Sequence, residues 1–341
     1  MGIAVARRAA ASSTAAARLV GKVAVTMRAF DSTLATLRAV AHSVHANDGF
    51  EPWTSLKSHL ADADAALCFM TDIVDAPLLE SCPELKIIAC ALKGYDNFDL
   101  DACAARGIAV TAVPDLLTEP TAELAVALAL GLMRNVLAGD RLVRSGAFRG
   151  WRPQLYGLGL AGSTVGLLGH GAVGQATARK LRGLGVGRLL YADPRASPSP
   201  ELASPASVDE LLEASDVLVV CTPLTACTHH LLDRARLARA KPGLLLVNVS
   251  RGSCVDEAAV ADALADGVLG GYAADVFEFE DWAVPGRPRA VEPRLLQPEA
   301  RTLFTPHLGS AVAAVREEIE LAAAAEIVRF ARGEPLHHRV A

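Results

Sequence analysis

Short apolar runs recur along the first third of the chain, and stretches of helical spacing lie between them. "KVAVTM" (22–27), "AALCFM" (65–70), "LKIIACA" (85–91) and "IAVTAV" (108–113) are bounded by polar or turn residues and predict strands. Leu34 to Ala46 predicts one of the intervening helices. Strands alternating with helices imply a parallel sheet, so this segment reads as a small α/β domain.

"TEPTAELAVALALGLMRNVLAGDRLVRSG" (118–146) is apolar almost all round and predicts one long helix starting at Thr121, which can cap it. A helix of that kind is buried between elements or between subunits. It marks a domain crossing, followed by a Gly- and aromatic-rich connection at 150–162. The alternation then resumes with strands predicted at 164–169, 188–193, 216–223, 244–250, 271–276 and 302–306. A Ser/Pro-rich loop, "PRASPSPELASPAS", follows the second of these. The final stretch from Ser310 predicts a long amphipathic helix that can return to the first domain.

Composition changes this picture little. At 341 residues, the chain is long enough for two domains and a full core without disulfide or metal staples. A net charge of −5 argues against nucleic acid or an anionic membrane as the main partner. The seven cysteines are odd in number and show no C-x-x-C pair, so they read as reduced thiols rather than metal ligands. No metal is expected. The first 20 or so residues are rich in Ala, Ser and Arg and hold no acid before Asp31. They are set apart from the fold as an alanine-rich tail on a cytoplasmic protein, or as an organelle transit peptide.

The chemistry gathers at the strand ends. Gly169-His170-Gly171-Ala172-Val173-Gly174 follows a strand and opens a helix, and Asp193 ends the next strand 19 residues beyond Gly174. That context is the dinucleotide fingerprint: Gly169 for the turn, Gly171 for backbone approach to a pyrophosphate, Gly174 for close helix–strand packing, and an acid near 20 residues on for the ribose. Asp193 repels a 2′-phosphate and favours NAD over NADP, although Arg195 leaves NADP open. In an open parallel sheet, ligands bind outside the carboxyl ends of the strands. Arg251, Asp275, Glu278, Glu280 and His307 all leave that edge. Arg251 suits a carboxylate or phosphorus oxyanion, and His307 can exchange a proton near neutral pH. Glu280 or Glu278 can orient that ring, spacing leaving the choice open. Asp275 is a candidate for holding the nicotinamide carboxamide.

"VGLLGHGAVG", "LLLVNVSRGSCVDEAAV", "GYAADVFEFE" and "FTPHLGSA" resemble the signatures of the D-isomer-specific 2-hydroxyacid dehydrogenase family, in its order and at its spacing. The resemblance implies two Rossmann-like domains with doubly wound parallel sheets and a homodimer. The substrate domain would be discontinuous (21–119 and 309–341) around an NAD-binding domain at 120–308. It also implies Arg251 on the substrate oxyanion and Glu280, rather than Glu278, paired with His307. Thr222, Pro223, Asn248, Val249 and Gly309 join the expected cofactor contacts.

Within the family the chain is most similar to the phosphite-oxidising (phosphonate) dehydrogenases, notably at "CPELKIIACALKGYDNFDLDACAARGI" and "RSGAFRGWRPQLYG". That similarity implies Lys93 as a second cation on a phosphite substrate. It implies Met70, Trp151, Tyr156 and Arg316 as pocket-lining residues, with Gly94 and Ser310 beside them. Met70, Trp151 and Tyr156 can equally be core residues. Two departures stand out. His170 sits where a hydrophobic residue is usual, and Val249-Ser250 replaces the Pro-Cys pair of phosphite enzymes. The competing expectations are an ordinary D-2-hydroxyacid dehydrogenase of the glyoxylate or hydroxypyruvate reductase type, which does not require Lys93, and an NAD-sensing corepressor.

Overall fold

The computed structural model describes residues 19–196 and 201–341. The basic N-terminal tail therefore lies outside the described residues, apart from its last two positions. Two parallel sheets are present. The first orders β1 (Val20–Val25), β2 (Ala41–Ala46), β3 (Ala65–Cys68), β4 (Ile87–Cys90) and β5 (Ala109–Thr111) as β2-β1-β3-β4-β5. The second contains β6 (Thr164–Leu168), β7 (Arg188–Ala192), β8 (Ser204–Pro205), β9 (Val217–Val220), β10 (Leu244–Asn248), β11 (Leu269–Ala274) and β12 (Thr302–Phe304). Its order is β12-β11-β10-β9-β6-β7-β8.

Both sheets are covered on both faces, because strand residues alternate between two apolar layers. In β10, Leu244 and Leu246 enter one layer while Leu245 and Val247 enter the other. In β1, Val23 and Val25 face one layer and Ala24 the opposite one. Strands buried on both sides read as continuous apolar runs, which is why they were visible in the sequence.

Three elements differ from expectation. The stretch 34–46 is not one helix. It is the end of the helix Asp31–Arg38 and then the edge strand β2, paired only with β1. Exposed His42, Ser43 and His45 on β2 blur the apolar signal of a strand. The predicted long helix is also two helices, Thr118–Met133 and Val136–Arg144. Asn135 breaks it in a left-handed conformation (φ 54°), and its side-chain amide donates to the Leu155 and Tyr156 carbonyls at 3.2 Å each. Thr121 does not cap the helix, which begins at Thr118; its hydroxyl donates back to Leu117 O at 2.7 Å. Lastly, the two-residue strand β8 lies in the Ser/Pro-rich region, where no strand was expected.

The C-terminal helix Ala313–Arg332 does return to the first sheet. Ile319, Ala323, Ala324 and Ile327 pack against β1, β3 and β4. Its buried Glu320 accepts hydrogen bonds from Phe30 N (2.9 Å) and Thr33 Oγ1 (3.3 Å).

Beyond β3, the buried Asp72 carboxylate accepts from Phe69 N at 2.7 Å and from the Thr26 hydroxyl. The Asn97 amide donates to Met70 O (3.2 Å) and to Asp72 O, so this knot sets the two loops that carry Met70 and Asn97. Burial is the main influence on the Asp72 carboxyl and pushes it from 3.8 up to about 6. The protonated acid therefore favours the fold. The stability linked to it is complete below 3.8 and is lost as pH rises through about 6. Asp72→Asn, which stays neutral, is expected to gain on the parent by up to about 3 kcal/mol between pH 4 and pH 7.5, measured from urea unfolding midpoints.

Candidate active site

The chain runs outward from β6 through β7 to β8, then back through β9 to β12. The order reverses between β6 and β9, and a crevice at such a switch point is where open α/β sheets bind ligands. The loop after β6 is the glycine run. Gly169 has φ 102°, and a Cβ there would lie 2.9 Å from the backbone of Cys221 and Thr222. A Cβ on Gly174 would collide with Gly169 O, whereas one on Gly171 would meet nothing within 4 Å. The loop is thus closed beneath and open above, as a pyrophosphate cradle must be.

The helix Ala172–Gly183 begins here with no side-chain cap, so its first N–H groups are available to an anion. Asp193, at the end of β7, accepts from His170 N and Arg195 N at 2.9 Å each. The Arg195 side of this turn is exposed. These features fit a dinucleotide with free ribose hydroxyls.

Some expected cofactor contacts have other work. His170 is 1% exposed and stacks on Tyr191, with ring centroids 4.1 Å apart, so only its backbone joins the loop. Asn248 is fully buried. Its Nδ2 donates to Arg251 O (2.9 Å) and its Oδ1 accepts from Ser250 N (3.1 Å), which shapes the turn that presents Arg251. Val249 is core, and Pro223 O accepts from Thr228 Oγ1 at 2.6 Å. Thr222 lies beside Gly169, whose missing Cβ leaves room for its backbone. Asp275, the candidate nicotinamide partner, is 1% exposed and shapes a loop. It accepts from Thr305 Oγ1 and Leu308 N at 2.6 Å and from Gly309 N at 2.8 Å. The loop so fixed holds His307 in a left-handed conformation (φ 55°).

Between the sheets lies a narrow cleft. Met70, Asp96 and Asn97 line it from the first lobe, and Arg251, Glu280 and His307 from the second. His307 Nδ1 is 2.9 Å from Glu280 Oε2, leaving Nε2 as the other ring nitrogen. Glu280 Oε1 also accepts from Phe277 N at 2.7 Å, so its carboxylate is held from both sides. Glu278 points elsewhere, toward His230 Nε2 (3.0 Å) and Glu257 N (2.7 Å). The Arg251 guanidinium reaches across the cleft to Asp96, with Nη2 3.1 Å from Oδ1 and Nε 3.2 Å from it. Gly94 leaves room for this fork, since a Cβ there would displace Arg251 Nη2.

Lys93 Nζ is paired with Asp115, on the turn after β5, and Lys93 is not among the cleft-lining residues. Partial burial lowers its pKa from the ordinary lysine value. Arg316 reaches Ala91 O at 3.4 Å, behind the Lys93 loop, and Ser310 starts the approach to the last helix without lining the cleft. Trp151 and Tyr156 are 76% and 74% exposed, so within one chain they are not core, and neither lines the cleft. Sequence reasoning missed Asp96, Asn97 and Trp282 at the cleft. The only signal for the first two was the acidic, amidic patch following Gly94.

Glycine cradle, ribose acid, oxyanion-binding arginine and His–Glu pair together define a dinucleotide-dependent oxidoreductase. Residues 126–309 match the family described as D-isomer specific 2-hydroxyacid dehydrogenase, NAD binding domain. A glyoxylate reductase of Thermococcus litoralis is 37% identical over 286 residues, covering 82% of this chain and 84% of that protein. The structure of TT0316 protein from Thermus thermophilus superposes with a TM-score of 0.84 at 36% identity, over 94% of this chain and all of that one. That of a glyoxylate reductase from Paecilomyes thermophila gives 0.80 at 27% identity, over 94% and 98%. The protein belongs to the D-isomer-specific 2-hydroxyacid dehydrogenase family and carries its NAD-binding domain.

Neither ring nitrogen of His170 has a hydrogen-bond partner among the described residues, and burial lowers its pKa from 6.5. The neutral ring is favoured in the fold, so the associated stability is present above 6.5 and is lost as pH falls below it. His170→Leu removes the unsatisfied polar ring. It is expected to stabilise the protein by about 1 kcal/mol at pH 7, and by more at pH 5.5. Thermal melts check this, and the NAD dissociation constant should stay within roughly threefold because the ring faces the core.

Proposed function

We propose that the protein is an NAD-dependent D-2-hydroxyacid dehydrogenase acting on a small 2-oxo acid, of the glyoxylate reductase type. One observation carries the reading: a single arginine fork and one His–Glu pair face each other in the cleft, while the second cation is held outside by Asp115. The names of the relatives support it. A planar 2-oxo acid has one carboxylate, which one guanidinium can bind in bidentate fashion.

Asp96 now occupies that fork, and the substrate carboxylate takes its place on Arg251. The neighbouring substrate carbonyl is then presented to His307, whose Nε2 delivers a proton to the oxygen as it becomes a hydroxyl, or removes it in the reverse direction. Glu280 at Nδ1 fixes the ring and stabilises it while it holds that proton. A nicotinamide bound beside them would supply or accept the hydride. Gly171 and the first turn of the following helix would hold the pyrophosphate, and Asp193 the ribose.

Phosphite oxidation, which the local resemblance around Lys93 implied, calls for a second cation on a compact anion, and Asp115 holds that cation elsewhere. The implied homodimer belongs to the same proposal. Exposed Phe148, Trp151, Leu155 and Tyr156 in one connecting segment support it.

The test is NADH oxidation with glyoxylate, pyruvate and hydroxypyruvate, set beside NAD reduction with phosphite. Turnover is expected on a 2-oxo acid. Arg251→Ala should lower kcat/KM by roughly 10²- to 10³-fold, the loss of a charge-assisted bidentate contact. Lys93→Ala should change it by less than about threefold, as for an exposed ion pair. Phosphite-dependent NAD reduction that collapses in Lys93→Ala would reverse the assignment, and absence of turnover on every substrate would favour a sensor.

A further inference from the structure

Two residues before Glu280 stands a second histidine–carboxylate pair. His230 Nε2 lies 3.0 Å from Glu278 Oε2, on a buried side chain that the chemistry above does not use. Glu278 and Glu280 are the first and last residues of one short 3-10 turn, Glu278–Glu280. The turn is clamped from beneath. Glu278 Oε1 accepts from Glu257 N (2.7 Å), while Glu278 N donates to Glu257 Oε1 (2.9 Å).

His230 also touches the other half of the cleft: its backbone N donates to Ser253 O at 2.7 Å, two residues beyond Arg251. Ser253 N in turn donates to Asp281 Oδ2 at 2.6 Å, next to Glu280. The two loops meet closely, and a Cβ on the intervening Gly252 would collide with the Phe277 backbone.

His230 is held in a left-handed conformation, φ 46°, which L side chains avoid. Four described non-glycine residues have positive φ, and the other histidine among them is His307. Strain of this kind persists where the surroundings over-determine it. In both places the constraint sets a ring against a carboxylate of the same turn.

We propose that His230 is a positioning residue for the acid–base pair. Through Glu278 it fixes the turn that aims Glu280 at His307, and through Ser253 it keeps that turn in register with the Arg251 loop. A ring that only filled space would need no donor, yet His230 supplies one to a buried carboxylate whose remaining oxygen is already committed. The inference rests on the proposed dehydrogenase reading for its kinetic consequences, and on the geometry alone for its structural ones.

His230→Leu is expected to lower kcat on the 2-oxo acid by roughly tenfold, a part of the ~10²–10⁴ that a positioned acid–base group supplies. KM should change by less than about twofold, because the backbone N–H that supports the Arg251 loop remains. His230→Gln, which restores an N–H donor to Glu278, should recover most of the rate. Since His230 acts through Glu280, the His230→Leu/Glu280→Gln double variant should be no slower than Glu280→Gln alone. Multiplicative losses, or a fall that glutamine cannot rescue, would assign His230 to stability only.

A second readout needs no turnover. In the NMR spectrum of the protein without substrate, the downfield Nδ1–H signal of His307, assigned by its loss in His307→Ala, should broaden or shift in His230→Leu and persist in His230→Gln. An unchanged His307 signal in His230→Leu overturns the inference. That holds even if wild-type inactivity on 2-oxo acids has removed the dehydrogenase reading.

Discussion

All strands of the second sheet run in one direction, and that constraint organises the protein. Parallel strands cannot be joined by tight hairpins, so each returns through a crossover and leaves the sheet at the same edge. The loops after β6, β7, β10, β11 and β12 therefore converge, although their residues span Gly169 to His307. Burial on both faces fixes the register of each strand, because a slip of one residue would exchange its two apolar layers. The cleft inherits its geometry from that packing.

The edge gathers the loops, and buried polar groups shape them. Asp275 ties Thr305, Leu308 and Gly309 to the end of β11 and so presents His307. Asn248 does the same for Arg251, and Asp72 with Asn97 for the loops of the first lobe. Each is a buried acid or amide satisfied by backbone groups, which converts a costly desolvation into a fixed loop shape. Two of the four described non-glycine residues with positive φ, His230 and His307, lie beside these loops.

Charge placement underlies the proposed substrate. Arg251 and Lys93 each found an acid, but with opposite consequences. Asp96 lies inside the cleft, so the Arg251 pair is one a substrate anion can enter by exchange. Asp115 does not line the cleft, and Lys93 pairs with it there. One cation facing one His–Glu pair suits a carboxylate beside a carbonyl better than a tetrahedral oxyanion.

The sequence by itself determined the alternation of strands and helices, the glycine cradle with its acid, and the family. These are local signals: doubly buried strands are continuous apolar runs, and close backbone approach demands glycine within a few residues. It could not separate β2 from the helix before it, because an edge strand with exposed polar residues at 42, 43 and 45 lacks an apolar run. It could not place Asn135 as a helix break, since a left-handed asparagine depends on carbonyls some twenty residues away. Nor could spacing choose between Glu278 and Glu280, or give Lys93 to Asp115 rather than to a substrate. Those outcomes depend on which side chains meet across lobes and turns, and only the tertiary structure sets such distances.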